Sequence, residues 1–380
     1  MSRDSSIDAL KGLAITLVVL GHAILDAGAL PHAAGLVDKG SFSISIATAS
    51  NLALSMLYTF HMPLFAFVSG LVMWPPRKYS LGSSVVGRLK SLIVPYLAWF
   101  TVFYIVRWAP HPSGGFGVAL MDEVTGHGGL WYLYALFICS IFVVALSNVR
   151  GSMWLLSASA VAAIACSTGL LFAVPDVLYL NMVLWIYPFV VLGYLVGPLK
   201  EKLVERRRAL LGVGLAAFLP LFYLRHPVDV PSIQPITRIG SAAGAIGGSS
   251  GHVLAALFSV IVPVLLYACA TAAVVALYGA YVGRTGPAID VQAWLGRKSL
   301  GIYAIHGSVL WFMSSHGLKN PVLLTALVIG IAVLGTMALE RTPVLGHILL
   351  GQKWSFPMRR KVATEPSIAS ESAVPEGGAA

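Results

Sequence analysis

Apolar residues fall in ten continuous blocks separated by Gly, Pro or charge: 9–27, 46–74, 91–108, 129–147, 153–173, 177–197, 209–224, 253–282, 299–316 and 322–340. Runs of this length predict helices able to cross a bilayer. They exclude a β-barrel, whose strands alternate apolar and polar positions over about ten residues. The fold class read from the pattern is all-α, a polytopic membrane protein with about ten transmembrane helices. Residues 1–350 form one transmembrane domain with no visible internal repeat. Residues 351–380 read as a cytoplasmic basic segment and a disordered tail, because the final stretch (ATEPSIASESAVPEGGAA) offers almost nothing to bury. The first block resembles an export signal at Ala27-Gly28-Ala29, but Asp8, Lys11 and His22 within it argue for a retained span.

Composition agrees. Of the 380 residues, 57% are hydrophobic and 11% charged, against roughly 45–50% and 25% in globular chains. A soluble protein is excluded. The net charge of +10 could point to nucleic acid, but the basic residues flank apolar blocks and form no stripe interleaved with aromatics, so no nucleic-acid partner is expected. They orient the spans instead. With both termini cytoplasmic and Lys11 set aside inside the first span, nineteen basic residues fall on the inner side and five (Lys39, Arg107, Arg225, Arg238, Lys319) on the outer. This positive-inside bias places the chain in the cell's inner or plasma membrane with both ends inside. Cys139, Cys166 and Cys269 lie within apolar runs without metal-ligand spacing, so neither a disulfide framework nor a metal site is expected.

Ionisable groups inside spans cost several kcal/mol unless they pair or line a wet cavity, so each is a candidate for function. The first span carries Asp8, Lys11 and His22 in IDALKGLAITLVVLGHA. Eleven residues at 100° each bring Lys11 and His22 to one helix side, about 16 Å apart. Asp8 and Lys11 then stand near the cytoplasmic mouth, with His22 about 20 Å deep. Read blandly, Asp8 is a helix N-terminal charge and Lys11 a snorkelling anchor, which leaves His22 unexplained. In the second span, His61 sits beside Pro63 in FHMPLF and thirteen residues before Trp74, which predicts a depth matching that of His22. Pro63 removes a backbone donor and kinks the helix there. Trp131 and Tyr132 read as an interfacial aromatic belt. His306, after Ser299–Tyr303, is uninformative alone. The loop carrying Arg77, Lys78, Arg88 and Lys90 either obeys the topology rule or binds an anionic ligand's phosphates.

In this order, IDALKGLAITLVVLGHA, FHMPLFAFVSG, RLKSLIVPY, GGLWYL and LGRKSLGIYAIH resemble the signature blocks of the integral-membrane acyltransferase 3 family. The most specific is the first, a basic residue followed by Gly-His. Its Asp-x-Leu-Lys-Gly and Val-Val-x-Gly-His wording is most similar to the fucose 4-O-acetylase-like branch. The resemblance implies a ten-helix membrane enzyme that moves an acyl group, usually acetyl from cytoplasmic acetyl-CoA or another acyl-CoA, to a hydroxyl of a glycan or glycolipid of the cell envelope. The family histidine matches His22, its basic partner Lys11 and the first-span acid Asp8, with His61 added by depth. Two departures are visible. Lys11 stands where many members have Arg, which keeps the charge but loses the bidentate fork. Arg88 is followed by Lys90 and Ser91, so the family's Arg-x-x-Arg spacing is not kept.

The chemistry suits imidazole, which serves either as base for the acceptor hydroxyl or as acyl-carrying nucleophile near neutral pH. Arg77, Lys78, Arg88 and Lys90 become the expected contacts of the CoA phosphates. The competing reading is a transporter or flippase for a lipid-linked sugar or small solute, because membrane histidines and a proline-kinked helix also serve proton-coupled transport. The lack of inverted repeats weighs against it.

Overall fold

The computed structural model describes residues 4–26, 49–74, 81–105, 115–124, 129–168, 177–225 and 248–352. The expected tail and the basic residues Arg77 and Lys78 lie outside the described residues. Helix occurs in each of the ten apolar blocks. By length and composition, six helices among the described residues can cross a membrane: Ser5–Asp26, Ala53–Met73, Leu81–Phe103, Leu180–Glu205, Val264–Tyr281 and Pro321–Glu340. The chain is an all-α integral membrane protein.

The helices that position the site are α1 (Ser5–Asp26), α2 (Ala49–Met73), α3 (Leu81–Arg88) and α4 (Val94–Phe103). They are followed by α5 (Phe116–Val124), α6 (Trp131–Ser147), α7 (Ser152–Ser167) and α8 (Leu180–Val196). The second half adds α9 (Lys200–Glu205), α10 (Arg207–Arg225), α11 (Gly248–Tyr281), α12 (Pro287–Arg297), α13 (Ser299–Ser315), α14 (Pro321–Glu340) and α15 (Pro343–Leu350). Hydropathy did not reveal α12, a short helix with Asp290 in its first turn and Arg297 in its last.

The central helices are α1 and α2. Leu10, Ile15, Val18 and Val19 of α1 are enclosed with Leu64 and Val68 of α2, Ile186 and Phe189 of α8, and Ile302 of α13 in one core. Lipid tails are as apolar as these side chains, so close packing rather than water exclusion drives such association. Two crossings supply the closeness. Where α1 meets α12, a Cβ on Gly12 would overlap the carbonyl oxygen of Gln292, and one on Gly296 would overlap that of Asp8. Where α2 meets α8, a Cβ on Gly70 would run into the Val190 carbonyl, and one on Gly193 into that of Phe67. In both cases the backbones touch because neither helix carries a side chain at the crossing.

Charges cluster at the end of the bundle where α1 begins. Asp4 pairs with Lys200, and Lys298 pairs with Glu340, joining the start of α13 to the end of α14. Between α3 and α4 the chain makes a π-helical turn, Leu89–Ile93, in which the Val94 N–H bonds the Leu89 carbonyl. Pro95 follows and has no N–H of its own, so the regular ladder is interrupted at this point. On the far side of α4, the Trp99 indole donates to the Leu349 carbonyl at 2.8 Å and fastens α15 to it.

Candidate active site

Helix α1 carries the three polar groups Asp8, Lys11 and His22. Asp8 is buried and lies 3.7 Å from the Lys11 ammonium one turn on. The Gly12–Gly296 crossing fixes this turn against α12, so Lys11 is held in place by the residue after it. Further along, Gly21 admits the ring of Tyr58 from α2, whose nearest atom would stand 3.1 Å from a Cβ there. That close approach brings α2 alongside His22.

Three histidines gather at this level. The His22 Nδ1 lies 2.9 Å from Nε2 of His306 on α13. Their rings are within 8° of parallel, with centroids 5.1 Å apart. His61 reaches the group through Tyr58, whose ring packs edge-on against His61 at 4.8 Å and tilted against His22 at 6.5 Å. His61 spends its Nδ1–H on the Leu57 carbonyl of its own helix, at 2.7 Å. His61 and His306 are buried, at 4% and 3% exposure. His22 as a residue is half-buried.

A cavity of about 200 Å³ opens beside the α1 stripe. Its walls include Lys11, Phe65, Ser69, Leu92, Tyr132, Ser299 and Tyr303. The polar groups are ordered: the Ser69 hydroxyl lies 3.2 Å from the Tyr132 hydroxyl, and the Tyr303 hydroxyl donates to the Gly129 carbonyl at 3.4 Å. Tyr303 links cavity and histidines, because its ring lies 5.6 Å from that of His306 and its carbonyl oxygen 2.5 Å from the His306 Nδ1. The cavity therefore begins at the Lys11 charge and ends one helical turn short of the histidine pair.

This arrangement differs from the sequence reading in three particulars. Tyr132 is no belt residue; it is buried at 5% exposure and packs against Phe65 and Tyr303 in the cavity wall. His306, uninformative in isolation, is the group bonded to His22. Ser69 and Tyr303 lie within two of the signature blocks but were not singled out, since a lone hydroxyl in a span is ordinary. Arg88 and Lys90, read from the sequence as loop residues, stand in helix instead: Arg88 ends α3 and is half-buried, Lys90 is exposed on the π turn, and Leu92, four residues after Arg88, lines the cavity. Among the described residues, no group of three His, Cys, Asp or Glu side chains is placed to hold a metal ion.

Residues 4–341 match the family described as an acyltransferase domain. The match covers most of the chain, which belongs to that family. The chain is also similar to two nodulation proteins NolL. That of Mesorhizobium japonicum is 30% identical over 198 residues, 51% of this chain and 48% of the relative. That of Sinorhizobium fredii is 28% identical over 258 residues, 64% of this chain and 63% of the relative. The matched segment thus spans about half to under two thirds of these relatives' length. No solved structure matches the chain.

Proposed function

We propose that this member of the acyltransferase family is a membrane O-acyltransferase, moving acetyl or a related acyl group from acyl-CoA to a hydroxyl of a glycan or glycolipid. The observation that carries the reading is the His22–His306 pair, nitrogen to nitrogen at 2.9 Å between two spans, one helical turn beyond Tyr303 in the wall of a cavity that also holds the Lys11 charge. The fucose 4-O-acetylase-like placement rests on the wording from Asp8 to Gly12 and from Val18 to His22.

In this reading the acyl donor enters from the cytoplasmic side, the end where α1 begins. Arg88 and Lys90, with Arg77 and Lys78 outside the described residues, meet the CoA phosphates, and Lys11 adds positive charge at the cavity mouth. The thioester arm lies along Phe65, Tyr132 and Tyr303. The acceptor approaches from the opposite face. The His22 imidazole takes the acceptor hydroxyl's proton as that oxygen bonds to the thioester carbonyl carbon. The carbon–sulfur bond then breaks, and the imidazolium gives the proton to the leaving CoA sulfur. Asp8 restrains Lys11, and His61 holds Tyr58 against His22.

The test is direct. Protein reconstituted in lipid is incubated with radiolabelled acetyl-CoA and an envelope glycolipid fraction. The reading expects label in a base-labile ester on the glycan. Unmodified glycolipid under conditions where the donor is bound contradicts it, and movement of unlabelled glycolipid across the bilayer without ester formation favours transport.

A further inference from the structure

We infer that His306 is a positioning residue that fixes the proton of His22 on Nδ1, so that the reacting nitrogen is His22 Nε2. The inference rests on the proposed role of His22 and specifies how that side chain is prepared.

The argument is one of donors and acceptors. A backbone carbonyl oxygen can only accept, and the Tyr303 carbonyl lies 2.5 Å from His306 Nδ1, so that nitrogen carries the hydrogen. A neutral imidazole has one N–H, which leaves His306 Nε2 with a lone pair. This lone pair faces His22 Nδ1 at 2.9 Å. Two lone pairs do not hold such a distance, so His22 Nδ1 donates. The lone pair of neutral His22 is then on Nε2. The chain runs from His22 through His306 to a helix backbone, and the backbone cannot change its role as acceptor.

Burial makes the arrangement unequal. His306 is enclosed at 3% exposure, while His22 as a residue is half-buried. The more enclosed residue is suited to orientation and the less enclosed one to reaction. The same logic operates wherever a buried acceptor sets the tautomer and ring angle of a working histidine. When the acceptor hydroxyl's proton arrives on His22 Nε2, the Nδ1–H remains bonded to His306, so the imidazolium formed keeps a partner in a setting that would otherwise penalise its charge. When the proton leaves for the CoA sulfur, the starting tautomer is restored without moving either ring. Neighbouring α14 keeps α13 in register for this contact, since a Cβ on Gly301 would collide with the Thr336 side chain.

The experiment compares His306→Leu, which removes the acceptor, with His306→Gln, which restores an acceptor oxygen. Turnover of His306→Leu should fall at least about tenfold, the low end for loss of a group that orients a working histidine, with little change in donor KM. His306→Gln should recover a clear part of that loss. In a His22→Ala background, His306→Leu should cost nothing more, because the two act as a unit. In protein labelled with ¹⁵N-histidine, the His22 Nδ1 should show the protonated type of nitrogen signal and Nε2 the unprotonated type, assigned by difference from His22→Ala. Normal turnover of His306→Leu in a protein that requires His22 overturns the inference, as does the opposite tautomer in the spectrum. Full activity of His22→Ala instead overturns the reading on which it rests. If His306→Leu does not fold, the spectrum and the His306→Gln rate decide.

Discussion

His22 and His306, separated by 284 positions in the chain, meet nitrogen to nitrogen at 2.9 Å inside the bundle. The contact joins the span that begins the chain to one near its end, and it is made between two side chains that are costly to place in a membrane. Lys11 lies on the same side of α1, and the cavity beside it extends to Tyr303, one turn before His306.

His61 stands apart from this pair. Its Nδ1–H is committed to the Leu57 carbonyl, and it reaches His22 only through the Tyr58 ring. His61→Ala should therefore lower thermal stability in detergent, by about 1–3 kcal/mol for a lost buried hydrogen bond and the cavity left behind. Turnover should fall less than it does for His22→Ala. A melting curve and an initial rate on the same preparation check both parts.

The donor-binding assignment is separable from the chemistry. Arg88→Gln combined with Lys90→Gln should raise the apparent KM for acyl-CoA more than it lowers kcat, the pattern of binding lost equally from ground and transition states. A reduced kcat with unchanged KM, at normal membrane levels, would place the CoA phosphates elsewhere.

The helix crossing beneath Lys11 tolerates no side chain. Gly296→Val should fail to assemble or melt far below the wild type, because the added carbon meets the Asp8 backbone rather than a movable side chain. Gly307→Ala, on the exposed face of α13 with open space around the new methyl, is the control and should leave the melting temperature unchanged or raised. Size-exclusion profiles and melting temperatures in detergent distinguish the two.

Much of the fold was readable in the chain because a membrane demands long apolar helices, and each of the ten blocks carries helix. The polar stripe of α1 was readable for the same reason, since Asp8, Lys11 and His22 are exceptions in an apolar run. What stayed hidden is adjacency. In a soluble helix the apolar stripe shows which face packs inward, but here lipid and protein interior are both apolar, and periodicity loses that information. Hence α13 gave no hint that His306 faces α1, and Tyr132 read as a belt residue although it faces the cavity. The short helix α12 was missed because its polar ends keep it below any hydropathy threshold, although Gly12 and Gly296 make it the closest partner of α1.

Stability should depend on pH through the start of α1. Burial raises the Asp4 carboxyl, but hydrogen bonds from Lys200 and Ser6 and the Lys200 charge outweigh it and hold the group below its ordinary value of 3.8. The folded value is the lower one, so the stabilisation is complete above 3.8 and is lost as the pH falls through the folded value. Asp4→Asn should therefore melt below the wild type at about pH 7, and the gap should close as the carboxylate is protonated. A gap that persists unchanged in acid would mean the ion pair is not its source.

If His22 does the chemistry, the rate of acyl transfer by His22→Ala in lipid shows it, measured at matched protein concentration and with a melting temperature within a few degrees of the wild type. The rate should fall at least about a hundredfold, the low end for loss of a general base. Wild-type turnover by His22→Ala would contradict it and detach the cavity, the His306 contact and the Lys11 charge from the reaction.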